Sequence, residues 1–274
     1  MSSYLITGVS RGIGFEFLRQ LSADTTNIVI GLVRNKDTTD QKIAAELGPR
    51  KNIHILQADL TNYASIKESK KPTMGKSEVV KITGGSLDII IANAGFMNPD
   101  SAWDPIGVLG EQPERFEADL LYAFRVNVIG NIHLFMPLIL KGTTKKVHAL
   151  SSAMADDKFA LDYDLAWNTP MTISKVGLNT AVAKFSAQYR EHGVLSLAIC
   201  PGMVDVGHFD KLTEAQLVKG GEMLGKFKTY ASDFAGARKP EDAVKDVLAV
   251  LDKATVTDGS AGTFVSHFGN KQWF

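Results

Sequence analysis

Seven short apolar runs recur along this chain, and the segments between them carry apolar residues at helical spacing. The runs are Tyr4–Ile6, Asn27–Val33, Ile53–Leu56, Leu87–Ala92, Lys146–Leu150, Leu195–Cys200 and Gly262–His267. Runs that are apolar throughout, rather than alternating, belong to parallel strands covered by helices on both faces. The segments Ile13–Leu21, Thr39–Leu47, Tyr63–Thr83, Pro113–Ile139, Thr172–His192 and Glu241–Ala254 read as helices. Strand–helix alternation over the whole length predicts an α/β fold: one doubly wound parallel sheet of about seven strands with right-handed crossovers. The 274 residues suit one large domain spanning 1–274, which would bury roughly three quarters of its unfolded surface. Val206–Pro240 interrupts the alternation. Its Leu212, Leu217, Leu224 and Phe227 predict short amphipathic helices, read either as a substrate lid over a pocket or as a plain surface insertion.

Composition removes several function classes. Thirty basic residues balance thirty acidic ones, which leaves no electrostatic footprint for nucleic acid or for an anionic membrane surface. No apolar stretch reaches the ~18 residues a membrane span requires. The first residues lack the basic and apolar regions of a signal peptide. Cys200 is the only cysteine, so it has no internal disulfide partner, and a reducing compartment fits best. The expectation is a cytoplasmic protein. The histidines, among them His54, His133, His148, His192 and His267, show no ligand spacing, and no metal site is expected.

The first strand runs directly into Thr7-Gly8-Val9-Ser10-Arg11-Gly12-Ile13-Gly14. Glycines at 8, 12 and 14 between a strand and a helix allow a tight turn and close approach of backbone to a pyrophosphate, which then sits at the helix N-terminus. The alternative, a tight turn without a ligand, is less consistent with its place in the first strand–helix unit. The second strand ends in Arg34, where a carboxylate would bind the ribose 2′-hydroxyl of NAD. Arg11 adds a second guanidinium, and two such groups favour a phosphate. NADP(H) is therefore expected over NAD(H); the alternative is that either arginine is a solvated surface charge.

These residues, with others farther on, resemble the short-chain dehydrogenase/reductase family over nearly the whole chain, and so imply a Rossmann-type fold. The turn matches TGxxxGIG. Asp59-Leu60 is similar to the family's adenine-contacting pair, and Ala92-Asn93-Ala94-Gly95 to its NNAG strand end. Asn127 falls at the structural and proton-relay asparagine. Ser152, of Ser151-Ser152, falls at the catalytic serine. Ser174-Lys175 ends a YxxSK pattern, and Pro201-Gly202 matches the PG after the sixth strand, with Val204 just beyond. The closing GTFVSHFGNKQWF resembles the carbonyl-reductase and fungal ketoreductase branch. The resemblance implies hydride transfer between a nicotinamide and a carbonyl. Serine would polarise the oxygen, tyrosine would give the proton, and lysine would hold the ribose. It also implies a homodimer or homotetramer built through the long helices.

This sequence departs from the pattern around the nicotinamide. Met171 stands four residues before Lys175, where the family has its tyrosine, and a thioether has no proton to give. Val206 stands where a threonine is common, and the loop Ala153–Thr169 is longer than usual. Tyr163 and Asp164 in that loop are candidate replacement acids, each against a bland reading as a packed or exposed residue. Trp167 could stack on an aromatic or cationic substrate, or pack against the sheet edge. His208 could reach the pocket mouth. Three functions fit: an atypical NADP(H)-dependent oxidoreductase acting on a small apolar or aromatic carbonyl or iminium substrate; a non-redox isomerase, cyclase or lyase; and a non-catalytic nucleotide-binding regulator.

Overall fold

The computed structural model describes residues 1–62, 76–132, 135–207, 210 and 212–274. Seven strands form one parallel sheet in the order β3-β2-β1-β4-β5-β6-β7. They are β1 (Ser3–Thr7), β2 (Ile28–Val33), β3 (Ile53–Gln57), β4 (Ile89–Ala92), β5 (Lys146–Leu150), β6 (Leu195–Cys200) and β7 (Phe264–Ser266). The register pairs Thr7 with Leu32, Tyr4 with Ile89, Ile91 with His148, Leu150 with Ile199 and Cys200 with Ser266.

Successive residues of one strand serve opposite layers, which is why the runs are apolar throughout. Ile6 packs beneath α1 (Gly12–Leu21), with Phe17 and Leu18, and α10 (Pro240–Lys253), with Val244 and Val247. Its neighbour Leu5 packs on the other face with Val79 of α3 (Lys76–Thr83) and Leu138 and Ile139 of α6 (Met136–Ile139). The long helix α8 (Thr169–Tyr189) lies on that second face, where Leu178 and Val182 meet Ala149 and Ala198. Helix α2 (Lys36–Glu46) is capped by Asn35, whose side chain accepts from the Thr38 amide at 3.2 Å.

Two expected helices differ in form. The reading Pro113–Ile139 is interrupted: α5 (Pro113–Phe124) passes into a π-helical turn at Arg125–Ile129 and a last turn at Gly130–Ile132. Phe135 leaves helical geometry (φ −133°) before α6 begins. π turns of this kind mark functional positions in helices, and here the turn carries the buried Asn127. The stretch Val206–Pro240 holds one 17-residue helix, α9 (Glu214–Tyr230), rather than several short ones. A reciprocal capping box between Thr213 and Gln216 starts it, and its Met223 and Phe227 are buried against Trp103 and Phe159. Residues 63–75 of the expected helix Tyr63–Thr83, and His133 and His208, lie outside the described residues. No helix among the described residues is long and apolar enough to cross a membrane.

The strands end at a common edge. Sheet order reverses beside β1, so the segments leaving β1 and β4 diverge and open a crevice, the usual ligand position in such sheets.

Candidate active site

A cleft of about 390 Å³ occupies that crevice, within the size range of small-molecule and cofactor sites. Its floor is the glycine turn. Gly8 and Gly12 have φ of +73° and +59°. A Cβ on Gly14 would lie 2.2 Å from the Gly8 carbonyl oxygen and 2.4 Å from Asn93 Nδ2. Position 14 therefore has no room for a side chain, which lets the start of α1 pack directly on the turn. Helix α1 starts there with no side-chain cap and no acidic residue in its first turn. Its free amides and positive end are left to face whatever the cleft holds.

Buried amides hold this floor in place. Asn93 donates from Nδ2 to the carbonyls of Thr7 (2.9 Å) and Gly8 (3.2 Å), so its side chain clasps the turn. Thr7 donates its hydroxyl to Asn131 Oδ1 at 2.6 Å and accepts from the Ala94 amide at 2.9 Å. Asn131 donates in turn to the carbonyls of Ala94 and Val126, at 2.8 and 2.9 Å. One side chain thus ties β1, the end of β4 and the π turn together. The sequence carried no signal for it.

Around the floor the structure brings together Ser10, Arg11, Ile13, Arg34, Asp59, Leu60, Ala94 and Gly95, as the sequence reading expected. Arg11 and Arg34 are exposed, and among the described residues neither guanidinium has an ion-pair partner. Asp59 accepts from the Thr61 amide (2.9 Å) and hydroxyl (2.8 Å). Thr61, Phe96, Met97, Tyr122 and Val126 also line the cleft. No local pattern marks these, because they reach the cleft only through the packing of segments that follow β3 and β4 and of α5 with its π turn. Tyr122 sets its ring edge-on to Phe96 at 4.5 Å.

At the other end stand Ser151, Ser152, Met171 and Lys175. Ser152 leaves β5 and caps a short 3-10 turn, its Oγ accepting from the Met154 amide at 3.3 Å. Its hydroxyl proton stays free to donate. Ser151 Oγ is buried and has no hydrogen-bond partner among the described residues, a condition that calls for a ligand or water. Met171 and Lys175 are one turn apart on α8, on the same helix face. Lys175 is buried, and its ammonium donates to the Leu150 carbonyl at 2.5 Å. Burial pushes its pKa down from 10.5 to about 8, and the nearby Cys200 offsets this in part. Cys200 Sγ accepts from the amides of Ala153 (3.1 Å) and Gly202 (3.4 Å), and burial raises its pKa to about 11. It is held as a neutral thiol.

Several expected site residues do not line the cleft. Asn127 is fully buried behind it: Oδ1 accepts from the Phe96 amide (2.6 Å), while Nδ2 donates to the Phe96 carbonyl (3.0 Å) and Ser174 Oγ (2.8 Å). Ser174 then donates to the Met171 carbonyl at 2.6 Å. Pro201, Gly202 and Val204 turn the chain away from β6. Gly202 faces His267, and Val204 bridges to Arg238; from this segment Val206 reaches the cleft, beside Gly12. Tyr163 stands in an aromatic cluster, 5.5 Å from Phe159 and 5.2 Å from Tyr230. Asp164 is exposed at φ +49°, and its carbonyl accepts from Lys226. Trp167 is buried, with the Lys226 ammonium 5.4 Å from its ring centroid; the cation over its face comes from the chain itself.

Comparison with known proteins bears on family and fold. A family model described as short chain dehydrogenase matches residues 3–217. The short chain dehydrogenase virK of Hypocrea virens is 51% identical over 276 residues, covering all of both chains. The short-chain dehydrogenase/reductase iacC of Pestalotiopsis fici is 43% identical over 277 residues, again across both full lengths. Among solved structures, the NADPH-bound carbonyl reductase from chicken fatty liver superposes with a TM-score of 0.73. It is 22% identical and covers 98% of each chain, a likeness of fold.

Proposed function

The chain belongs to the short-chain dehydrogenase/reductase family of oxidoreductases, and from that premise we propose that it is an NADP(H)-dependent reductase of small apolar or aromatic carbonyl or iminium compounds, working without the family's tyrosine. The cleft fits a dinucleotide. Gly14 admits no Cβ, the α1 end is uncapped, and Ser151 Oγ has no hydrogen-bond partner among the described residues. When bound, the nicotinamide supplies the hydride.

The chain's own groups do the rest. Gly8, Ser10, Gly12, Ile13 and Gly14 present backbone to the pyrophosphate. Arg11 and Arg34 hold the 2′-phosphate, and Asp59, Leu60, Ala94 and Gly95 border the adenosine. Lys175 keeps two N–H groups for ribose or substrate oxygens. Ser152 donates to the carbonyl oxygen and stabilises charge developing there. Phe96, Met97 and Met171 give the reacting end an apolar wall, which suits an apolar or aromatic substrate. Asn127 positions α8 through Ser174. The segment 206–240 acts as a lid within a single domain, and the assembly is a homodimer or homotetramer.

The pair of cleft guanidiniums, Arg11 and Arg34, without an ion-pair partner among the described residues, carries the cofactor assignment. Fluorescence titration tests it. NADPH should bind at least ~10-fold more tightly than NADH, since a charge-assisted hydrogen bond contributes about 1.5–3 kcal/mol. Arg34→Ala should erase most of that difference. Equal affinity for the two cofactors would overturn it.

A further inference from the structure

We infer that Lys175 is the group that protonates the substrate's carbonyl oxygen in this site, in place of the phenol that Met171 cannot supply. The inference rests on the reductase reading above and adds the identity of its acid.

The titratable side chains among the described cleft-lining residues are Arg11, Arg34, Asp59, Tyr122 and Lys175. Guanidiniums do not release protons in proteins. Asp59 is bonded to Thr61 and follows β3, two strands out from β1. Tyr122 sits on α5 against Phe96. Lys175 alone shares a helix face with Met171, and its ammonium bonds Leu150 at the end of β5, two residues before Ser152. Its ammonium sits beside Gly95, whose Cβ, if present, would be 3.7 Å from Nζ. It spends one N–H on the Leu150 carbonyl and has no carboxylate partner among the described residues. An ammonium paired with a carboxylate would be locked in its charged form; this one is not. The charged or titratable neighbour from the strand beneath is Cys200, a neutral thiol. A buried amine so placed titrates near working pH, which suits a general acid.

The step balances simply. As hydride reaches the carbonyl carbon, the C=O π pair moves to oxygen. The Lys175 N–H bond breaks, its electrons stay on nitrogen, and the O–H bond of the alcohol forms. The neutral amine takes a proton back from solvent.

Two measurements test this. In the cofactor-free protein, acetylation by N-acetoxysuccinimide, followed residue by residue with mass spectrometry, should show Lys175 reactivity rising through a midpoint near 8, well below the exposed lysines. In the second, 9,10-phenanthrenequinone serves as the carbonyl probe and NADPH binding is titrated separately. The rate should fall at alkaline pH through one ionisation. Lys175→Arg keeps a cation for the ribose but should lower kcat by ~10²-fold, the low end of general-acid contributions. It should also flatten that alkaline limb while changing NADPH affinity far less. If the Arg variant keeps rate and pH profile, or if Tyr122→Phe abolishes the limb instead, Lys175 is not the acid. NADPH binding without reduction of the probe, or a Lys175 midpoint with the exposed lysines, overturns the assignment equally. In all of these cases the cofactor reading survives. Failure of the wild-type protein to bind NADPH would instead remove the reductase reading, and this inference with it.

Discussion

Replacing Gly14 with alanine separates sterics from helix propensity, because the two predict opposite signs. Gly14 is the third residue of α1, where a Gly→Ala change ordinarily stabilises by roughly 0.5–1 kcal/mol. Here the new methyl would fall 2.2 Å from the Gly8 oxygen, 2.4 Å from Asn93 Nδ2 and 2.9 Å from the Gly8 carbonyl carbon. Two of those atoms are backbone, and the third is fixed by bonds to Thr7 and Gly8. None can rotate away. Overpacking against such a wall costs about 3 kcal/mol, the upper part of its usual range. The net destabilisation is then ~2 kcal/mol, or a fall in Tm of roughly 4–8 °C for a chain of this size. Restoring room requires α1 to move off the turn, so NADPH affinity should drop at least ~10-fold, as one lost hydrogen bond to a charged group already would. Gly48→Ala is the control: it also has positive φ (+68°), but among the described residues nothing lies within 4 Å of its Cβ position. Its strain of ~1 kcal/mol should lower Tm slightly and leave NADPH binding untouched. Differential scanning calorimetry and fluorescence titration read both. A Gly14→Ala protein that melts at or above the wild-type temperature and binds NADPH normally would refute the reasoning.

Other consequences can be checked directly. Asn131→Leu should destabilise by ~2–4 kcal/mol, since it leaves the Thr7 hydroxyl and the Ala94 and Val126 carbonyls without their buried partner; chemical denaturation measures this. His148 is buried, and burial lowers its pKa to about 3. The unfolded chain therefore binds a proton between about pH 6.5 and 3 that the fold refuses, so stability falls on acidification through that window by up to ~1.4 kcal/mol per pH unit. His148→Leu should shrink that acid slope, as followed by urea midpoints at several pH values. Cys200, with its pKa raised to about 11 by burial, should resist a maleimide at pH 8 in the native state and react once unfolded. Leu121 and Ile129 are 49% and 47% exposed on α5 and the π turn. If they carry the proposed subunit contact, Leu121→Glu/Ile129→Glu should shift the light-scattering mass to that of one chain.

What the sequence made legible follows from what each residue touches. The strands were readable because burial on both faces leaves an uninterrupted apolar signature: Lys146–Leu150 and Leu195–Cys200 were located to the residue. The glycine turn was readable because its geometry depends on neighbours a few positions away. The π turn was not, since nothing local distinguishes RVNVI from an ordinary helical turn; its form is set by Asn127 and Asn131 reaching across to Phe96 and Ala94. Asn93, expected among the cofactor ligands, lines the cleft, and its side chain also braces the turn. Tyr163 and Asp164 are close in sequence to Met171 and point elsewhere in space, because the loop after β5 folds outward onto α9.

The link from Asn127 through Ser174 to residue 171 ends on a main-chain oxygen. The hydrogen bonds that hold α8 in register therefore bypass the side chain at 171, which packs, partly buried, beside the Trp103 and Phe159 cluster. A change of chemistry there meets apolar packing and the cleft, while the polar links behind the helix stay as they are.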